Sequence, residues 1–153
     1  VQGSGSTEAR SEGAIEMLEA AGHSVAADPY PDTGTVEGCK TAAANTLEGF
    51  VVDGVLELDG IFAANLYSTL GVAEALSDLE KGGVKVDVAF VGFDTSEKLL
   101  KGVEEGSIDG LVAQNPENMG YLAVKTLYAV IQGEEVEPMV DTGVRLVRRS
   151  RSQ

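Results

Sequence analysis

The sequence predicts an α/β fold, a doubly wound parallel sheet with helices on both faces. Segments with the hydrophobic periodicity of a helix alternate along the chain with short, continuously apolar segments that suit buried strands. Continuous apolar strands are typical of parallel sheets covered by helices, and right-handed crossovers wind the chain over both faces. The length of 153 residues, with no internal repeat and no linker, fits a single domain.

Five helices and five strands follow from this pattern. The helices, each with an apolar face at spacings of three and four, are predicted at Glu8–Ala21, Thr35–Phe50, Leu66–Leu79, Ser96–Glu105 and Glu117–Gln132. The strands are predicted at Ser24–Ala27, Gly60–Ala64, Val86–Val91, Gly110–Ala113 and Val140–Val147. A fold of this kind normally begins with a strand, but only Val1 and Gln2 precede the segment GSGST. We therefore expect the central strand to be cut short in this sequence.

Composition argues against several classes of function. The formal net charge of −14 opposes binding to nucleic acid and to anionic membrane surfaces. No apolar run approaches the roughly 20 residues that a membrane-spanning helix needs. The single cysteine, Cys39, cannot form an internal disulfide, and its helical surroundings favour a packed thiol over a nucleophile. The single histidine, His23, cannot supply a histidine cluster for a metal ion. We predict no metal and no cofactor.

Polar side chains are predicted to gather at one edge of the sheet. In open α/β sheets, ligands bind outside the carboxyl ends of the strands. The polar and aromatic residues that follow the predicted strands are Ser6, Arg10, Tyr30, Asn65, Asp94 and Gln114. Their hydroxyl, guanidinium, amide and carboxylate groups suit the vicinal hydroxyl groups of a small sugar or related polyol. Because no nucleophile lies beside a base and Asp94 has no second carboxylate, we predict binding and no catalysis.

Each of these residues also has a purely structural interpretation. Asp94 and Asn65 precede predicted helices and are typical N-cap residues. Arg10 fits a solvated first helical turn, Gln114 an ordinary loop, and Tyr30 a surface ring between two prolines. The segment GSGST also resembles a phosphate cradle at a helix N-terminus, but it lacks the Lys-Ser/Thr pair of a P-loop. Only the joint placement of these residues favours a ligand-binding site.

Four segments of the chain share a specific order and spacing with a known family. They are VQGSGSTEARSEG, IFAANLYSTLGVAEAL, VAFVGFD and LLKGVEEGSIDGLVAQNPENMGYLAV. Together they resemble the carboxyl-terminal half of periplasmic sugar-binding proteins of ABC transporters, of the ribose-binding-protein-like type. The resemblance implies that residues 1–153 form one lobe of a two-lobe type I periplasmic-binding-protein fold, with the ligand in the cleft between lobes. It also implies that the helix within residues 117–138 belongs to the missing first lobe.

The resemblance implies ligand-binding roles for four residues. They are Arg10 on the first helix, Asn65 after FAA, Asp94 of GFD and Gln114 before the proline segment. The family also places an aromatic residue near Tyr30, although Pro29 and Pro31 leave its register open. The chain departs from the family after Asn65, where Leu66 and Tyr67 replace the common acidic or amide residues. This departure leaves the identity of the sugar open.

Three functions remain as hypotheses. The first is the solute-binding component of an ABC importer, which works with a membrane permease. Such a protein is located in the periplasm or outside the cell, and one variant is anchored to the membrane as a lipoprotein. The second is the effector-binding domain of a lac-repressor-like transcriptional regulator, which shares the fold and requires a helix-turn-helix segment upstream. The third, a small flavodoxin-like or phosphate-handling enzyme, depends on GSGST alone.

The helix predicted at Glu117–Gln132 is apolar on most of its sides. One stripe consists of Met119, Leu122, Ala123, Leu127 and Val130, and a second consists of Tyr121, Val124, Tyr128 and Ile131. A helix layered on a sheet normally keeps one solvated face, so a helix without one either is buried or leaves an apolar patch that needs a partner. We expect this helix to contact a missing lobe or a second copy of the chain, which would produce self-association.

Overall fold

The computed structural model describes residues 4–149, so the expected strand remnant at Val1 and Gln2 lies outside the described residues. The helices are α1 (Gly5–Ala20), α2 (Val36–Glu48), α3 (Leu66–Lys81), α4 (Glu97–Glu105) and α5 (Pro116–Ile131). The strands are β1 (Val51–Val52), β2 (Val55–Leu56), β3 (Gly60–Phe62), β4 (Ala89–Phe93), β5 (Gly110–Gln114) and β6 (Val144–Val147). All five predicted helices are present, with boundaries shifted by a few residues.

The main sheet has the strand order β3-β4-β5-β6. Strands β3, β4 and β5 are parallel, which confirms the predicted α/β class. Helices lie on both faces: Phe90 packs in one core with residues of α3 and α4, while Arg10 of α1 lies over the ring of Phe93 on the other face. Phe90 and Phe93 point to opposite faces because they are three residues apart in one strand.

The last strand corrects the expectation of a wholly parallel sheet. β6 pairs antiparallel to β5, with Gln114 opposite Val144. The chain therefore leaves β5 and enters β6 at the same edge of the sheet, and α5 with the loop 132–143 forms an excursion beyond that edge. A parallel strand would have required the connecting helix to pack back along the sheet. α5 does not do so, since none of its residues is buried.

Two shorter segments also differ from the predictions. Ser24–Ala27 is not a strand, because no described strand runs beside it to supply hydrogen-bond partners. In contrast, β1 and β2 form an antiparallel hairpin that the periodicity did not predict. Its turn residues, Asp53 and Gly54, both have positive φ, of 49° and 79°. An Asp-Gly pair between apolar residues is a sequence signal for such a turn, so this hairpin was predictable.

The core lies between the sheet and helices α2, α3 and α4. Phe90, Leu99 and Leu111 are its most deeply buried large side chains. Helix α2 packs against α3, and α3 contacts β4. The flanking helices α1 and α5 contribute no buried residue. The predicted site edge therefore rests on a packed body, while the two helices beside it remain on the surface.

Candidate functional site

Three of the predicted site residues form one hydrogen-bonded chain at the carboxyl edge of the sheet. Arg10 Nη2 donates to Gln114 Oε1 at 3.3 Å, and Gln114 Nε2 donates to Asp94 Oδ1 at 2.5 Å. These residues come from α1, from the end of β5 and from the position after β4. All three are half-buried, so the chain is partly shielded and still open to solvent. The structure thus brings together a cation, an amide and a carboxylate that lie far apart in sequence.

Arg10 is held by two further contacts. Its Nη1 donates to the carbonyl of Ala64 at 3.2 Å, and its guanidinium carbon lies 3.9 Å from the centroid of the Phe93 ring. A cation over an aromatic face is stabilised by the ring quadrupole, most strongly where water is partly excluded. Arg10 therefore spans the ends of β3, β4 and β5. This contradicts its interpretation as a solvated helical residue.

Asp94 does not act as a helix cap. Helix α4 is capped by Ser96, whose hydroxyl accepts from the Leu99 N–H at 3.3 Å. Asp94 itself has φ of 67°, in the left-handed region that is uncommon for a residue with a side chain. Its N–H donates to the Val112 carbonyl at 2.8 Å, so the strained backbone is held by β5. Strained residues of this kind concentrate at ligand sites, which supports the binding interpretation of Asp94.

Asn65 combines a structural role with a place beside the site. Its Oδ1 accepts from the Ser68 N–H at 3.0 Å, and the Ser68 hydroxyl accepts from the Asn65 N–H at 3.1 Å. This capping box confirms the N-cap interpretation. Asn65 directly follows Ala64, whose carbonyl binds Arg10, so it adjoins the chain of polar contacts. Among the described residues, none accepts a hydrogen bond from its side-chain N–H₂.

Ser6 and Tyr30 are not joined to these contacts. The Ser6 hydroxyl lies 3.4 Å from that of Ser4 and is exposed on the first turn of α1. Tyr30 is half-exposed and lines a groove along α2, together with Thr33 and Thr41. Since the segment before Tyr30 does not pair as a strand, the ring is not placed at the sheet edge. The roles of Ser6 and Tyr30 stay predictions.

Phe93 and Thr69 were missed in the sequence analysis, although both support the site. Phe93 lies under Arg10 and precedes Asp94, and the GFD motif gave a signal for it. Thr69, on α3, is fully buried, and its hydroxyl accepts a hydrogen bond from the Phe93 N–H. An isolated threonine in a helix gives no sequence signal for such a role. Cys39 is buried in α2, and burial raises the pKa of its thiol, in keeping with a packed residue.

Residues 1–135 match the sequence profile of the family described as the periplasmic binding protein domain. This match covers most of the chain and includes all the candidate site residues. The chain belongs to the periplasmic binding protein domain family. No helix in the described part, residues 4–149, is long and apolar enough to cross a membrane.

Individual relatives agree with this family. The ribose import binding protein of Haemophilus influenzae is 31% identical over 91 residues, which are 60% of this chain and 30% of that protein. A carbohydrate transporter solute-binding protein from Agrobacterium radiobacter, solved in complex with D-arabinose, is 33% identical with a TM-score of 0.77, covering 94% of this chain and 46% of its own. The periplasmic component of an ABC-type sugar transport system from Hahella chejuensis is 30% identical with a TM-score of 0.82, covering 97% and 51%.

These comparisons also show how much of a family member the chain represents. It spans about half the length of the two solved relatives and less than a third of the ribose import binding protein. The matched structures include the fold around the site, since almost the whole chain superposes. The chain therefore matches one part of the architecture of these relatives.

Proposed function

We propose that the protein is the solute-binding component of an ABC importer and binds a small neutral sugar in a cleft between this lobe and a second one. The hydrogen-bonded chain of Arg10, Gln114 and Asp94 at the carboxyl edge of the sheet carries this proposal. Solved relatives of the same family hold sugars, as the D-arabinose complex from Agrobacterium radiobacter illustrates. The proposal makes the protein a binding protein and not an enzyme.

The charges of the site favour an uncharged, hydroxyl-rich ligand. One guanidinium and one carboxylate balance each other, and Gln114 lies hydrogen-bonded between them. A carboxylate accepts hydrogen bonds from two neighbouring hydroxyl groups, and a guanidinium donates to two oxygens. An anionic or cationic ligand would leave one of the two site charges facing a like charge. Arg10, Asn65, Asp94 and Gln114 are therefore assigned to ligand binding.

The second lobe and the permease are the proposed partners. The excursion of α5 and the loop 132–143 starts and ends at the site edge, beside the place where a covering lobe would lie. Tyr121 and Tyr128 on α5 are 64% and 65% exposed, as a surface that contacts another lobe would be. We assign α5 to the interface with the first lobe, with contact between copies of this chain as the alternative. The match to the periplasmic binding protein domain family supports a location outside the cytoplasmic membrane, and the permease is its proposed neighbour there.

The test is calorimetric titration of the complete encoded protein with D-ribose and with D-arabinose. Asp94→Asn should weaken binding of the preferred sugar by about ten- to a hundredfold, because a charge-assisted hydrogen bond contributes roughly 1.5–3 kcal/mol. The matched control is Asp53→Asn, because Asp53 is also an aspartate with positive φ but lies exposed in the distant β1–β2 turn. Equal affinities of the Asp94 variant and the control would contradict the assigned site.

A second measurement tests the need for two lobes. A site that buries most of a small ligand needs more than one wall, and the 153-residue chain supplies only one lobe. If half of a binding free energy of about 8 kcal/mol is lost, a micromolar site becomes roughly millimolar. We therefore expect the isolated chain to bind the same sugar in about the millimolar range. Micromolar binding by the monomeric chain would show that the single lobe forms a complete site.

A further inference from the structure

Thr69 lies where strands β3 and β4 separate on their way to the binding edge. The last regular bond between them runs from the Ala63 N–H to the Val91 carbonyl, at 3.0 Å. In a continued parallel ladder, the next bonds would join the Phe93 N–H to the Ala63 carbonyl and the Asn65 N–H to the Phe93 carbonyl. Neither bond forms, because the chain after Ala64 turns into helix α3. The two strand ends therefore need other partners for their backbone groups.

Side chains of α3 supply these partners. Thr69 Oγ1 accepts from the Phe93 N–H at 2.9 Å, and its single hydroxyl proton lies within reach of two carbonyl acceptors, the nearer that of Asn65 and the other, at 3.1 Å, that of Phe93. The same hydroxyl lies 2.8 Å from the Asn65 carbonyl, and Ser68 Oγ accepts from the Asn65 N–H. One threonine hydroxyl thus holds the backbone of Phe93 and adjoins that of Asn65.

The Thr69 side chain is also tightly packed. Its side chain is fully buried, with no exposed surface. A Cβ atom at Gly92 would lie 2.1 Å from Thr69 Cγ2, so the absence of a side chain at Gly92 makes room for the threonine methyl group. The hydroxyl, in addition, bonds the Phe93 N–H, so substitution can separate the effect of the hydroxyl from that of the methyl group.

We propose that Thr69 is a positioning residue for the ligand site, whose hydroxyl replaces the missing ladder acceptor of the Phe93 N–H, contacts the Asn65 carbonyl and so sets the places of Asn65, Phe93 and Asp94. The guanidinium of Arg10 lies over the Phe93 ring, and the next residue, Asp94, has a left-handed backbone conformation. A shift of the Phe93 backbone therefore moves the aromatic support of the cation and the carboxylate together. This inference rests on the proposed sugar-binding function for its effect on affinity.

Two substitutions of Thr69 in the complete encoded protein separate hydroxyl from shape. Thr69→Val keeps the shape and removes the hydroxyl, and Thr69→Ser keeps the hydroxyl and removes the methyl group. With D-ribose and D-arabinose as probes, we expect the valine variant to bind the preferred sugar about tenfold or more weakly. The serine variant should stay within about threefold of the unmodified protein, although the lost methyl group lowers its melting temperature.

The sugar affinities of the folded Thr69 variants test whether Thr69 positions the ligand site. Unchanged affinity in a folded Thr69→Val protein overturns the inference, and so does a serine variant that loses as much affinity as the valine variant. If the valine variant does not fold, Thr69→Cys replaces it, because a thiol is only a weak hydrogen-bonding group. Native affinity in the folded cysteine variant likewise overturns the inference.

Hydrogen exchange separates this inference from the proposed function. The amide of Phe93 should exchange about tenfold faster or more in Thr69→Val, because its acceptor is lost, and at the native rate in Thr69→Ser. If neither sugar binds the unmodified protein, the proposed function fails while the Phe93 amide still reports on Thr69. Native exchange of that amide in the valine variant then overturns the positioning role.

Discussion

Two regions of this protein contain similar apolar residues but place them in opposite environments. The body, residues 36–114, buries its large side chains between the sheet and helices α2, α3 and α4. The flank, residues 116–147, contains the more apolar helix α5 and leaves it on the surface. The leucine of α4 at position 99 is 1% exposed, whereas Leu127 of α5 is 59% exposed. An apolar stripe predicts that a helix needs a partner, but it does not say whether that partner lies in the same lobe.

The same substitution in both regions gives the largest expected contrast. Leu99→Ala should lower the free energy of unfolding by about 2–5 kcal/mol, since it opens a cavity in a closed core. Leu127→Ala should change it by less than about 0.5 kcal/mol in the 153-residue chain, because the side chain is mostly solvated. Urea unfolding measures both. Similar losses for the two variants would mean that α5 is packed against another surface in solution.

Glycine-to-alanine substitutions should give effects of opposite sign. A Cβ at Gly71 in α3 would lie 2.6 Å from the backbone nitrogen of Lys40 and 2.7 Å from Cys39 Cβ, because α2 and α3 pack closely there. Gly71→Ala should therefore cost about 1–3 kcal/mol of stability. Gly120 in α5 has nothing within 4 Å of that position. Gly120→Ala should add about 0.5–1 kcal/mol through helix propensity.

The same unfolding series tests this second contrast. A destabilising Gly120→Ala in the 153-residue chain would show that a surface approaches α5 closely, as contact between copies would produce. In a protein that includes the proposed first lobe, the same loss would identify Gly120 as part of the interface with that lobe. If Gly120→Ala is stabilising both with and without the proposed first lobe, Gly120 lies on an exposed side of α5.

The smallest expected effect concerns an ion pair within the body. Lys40 Nζ lies 2.8 Å from Asp78 Oδ2 and joins α2 to α3. The hydrogen bond and charge of Lys40 lower the pKa of Asp78, and those of Asp78 raise the pKa of Lys40. The pair therefore stabilises the fold at neutral pH. Its contribution is lost as pH falls through the lowered pKa of Asp78, and again as pH rises through the raised pKa of Lys40.

Melting temperatures of Lys40→Met against the unmodified chain test this pH dependence. The difference should be small, because both groups are partly exposed, and it should vanish once Asp78 is protonated. Lys125→Met is the matched control, since Lys125 on α5 forms no ion pair within residues 4–149. A difference that persists unchanged at acid pH would show that the aliphatic part of Lys40, and not its charge, stabilises the helix pair.

The candidate site was predictable to different degrees for different residues. Asp94 and Gln114 follow predicted strands, and Arg10 follows the strand expected at the start of the chain. The rule that ligands bind at the carboxyl edge of the sheet was enough to group these three residues. Tyr30 was grouped by the same rule, but its preceding segment found no partner strand, so it lies against α2. Thr69 gave no signal because its importance comes from its bond to the backbone of Phe93, which lies 24 residues away.

The sequence by itself determined the α/β class, the order of the five helices, the main strands and the residue types at the site. These properties follow from local periodicity, turn residues and capping, which depend on neighbours within a few positions. The tertiary structure decided the direction of β6, the exposure of α5 and the bonds that hold Arg10 and Asp94 together. These depend on which backbone groups and apolar faces find partners across the fold, and that is a property of the assembled chain.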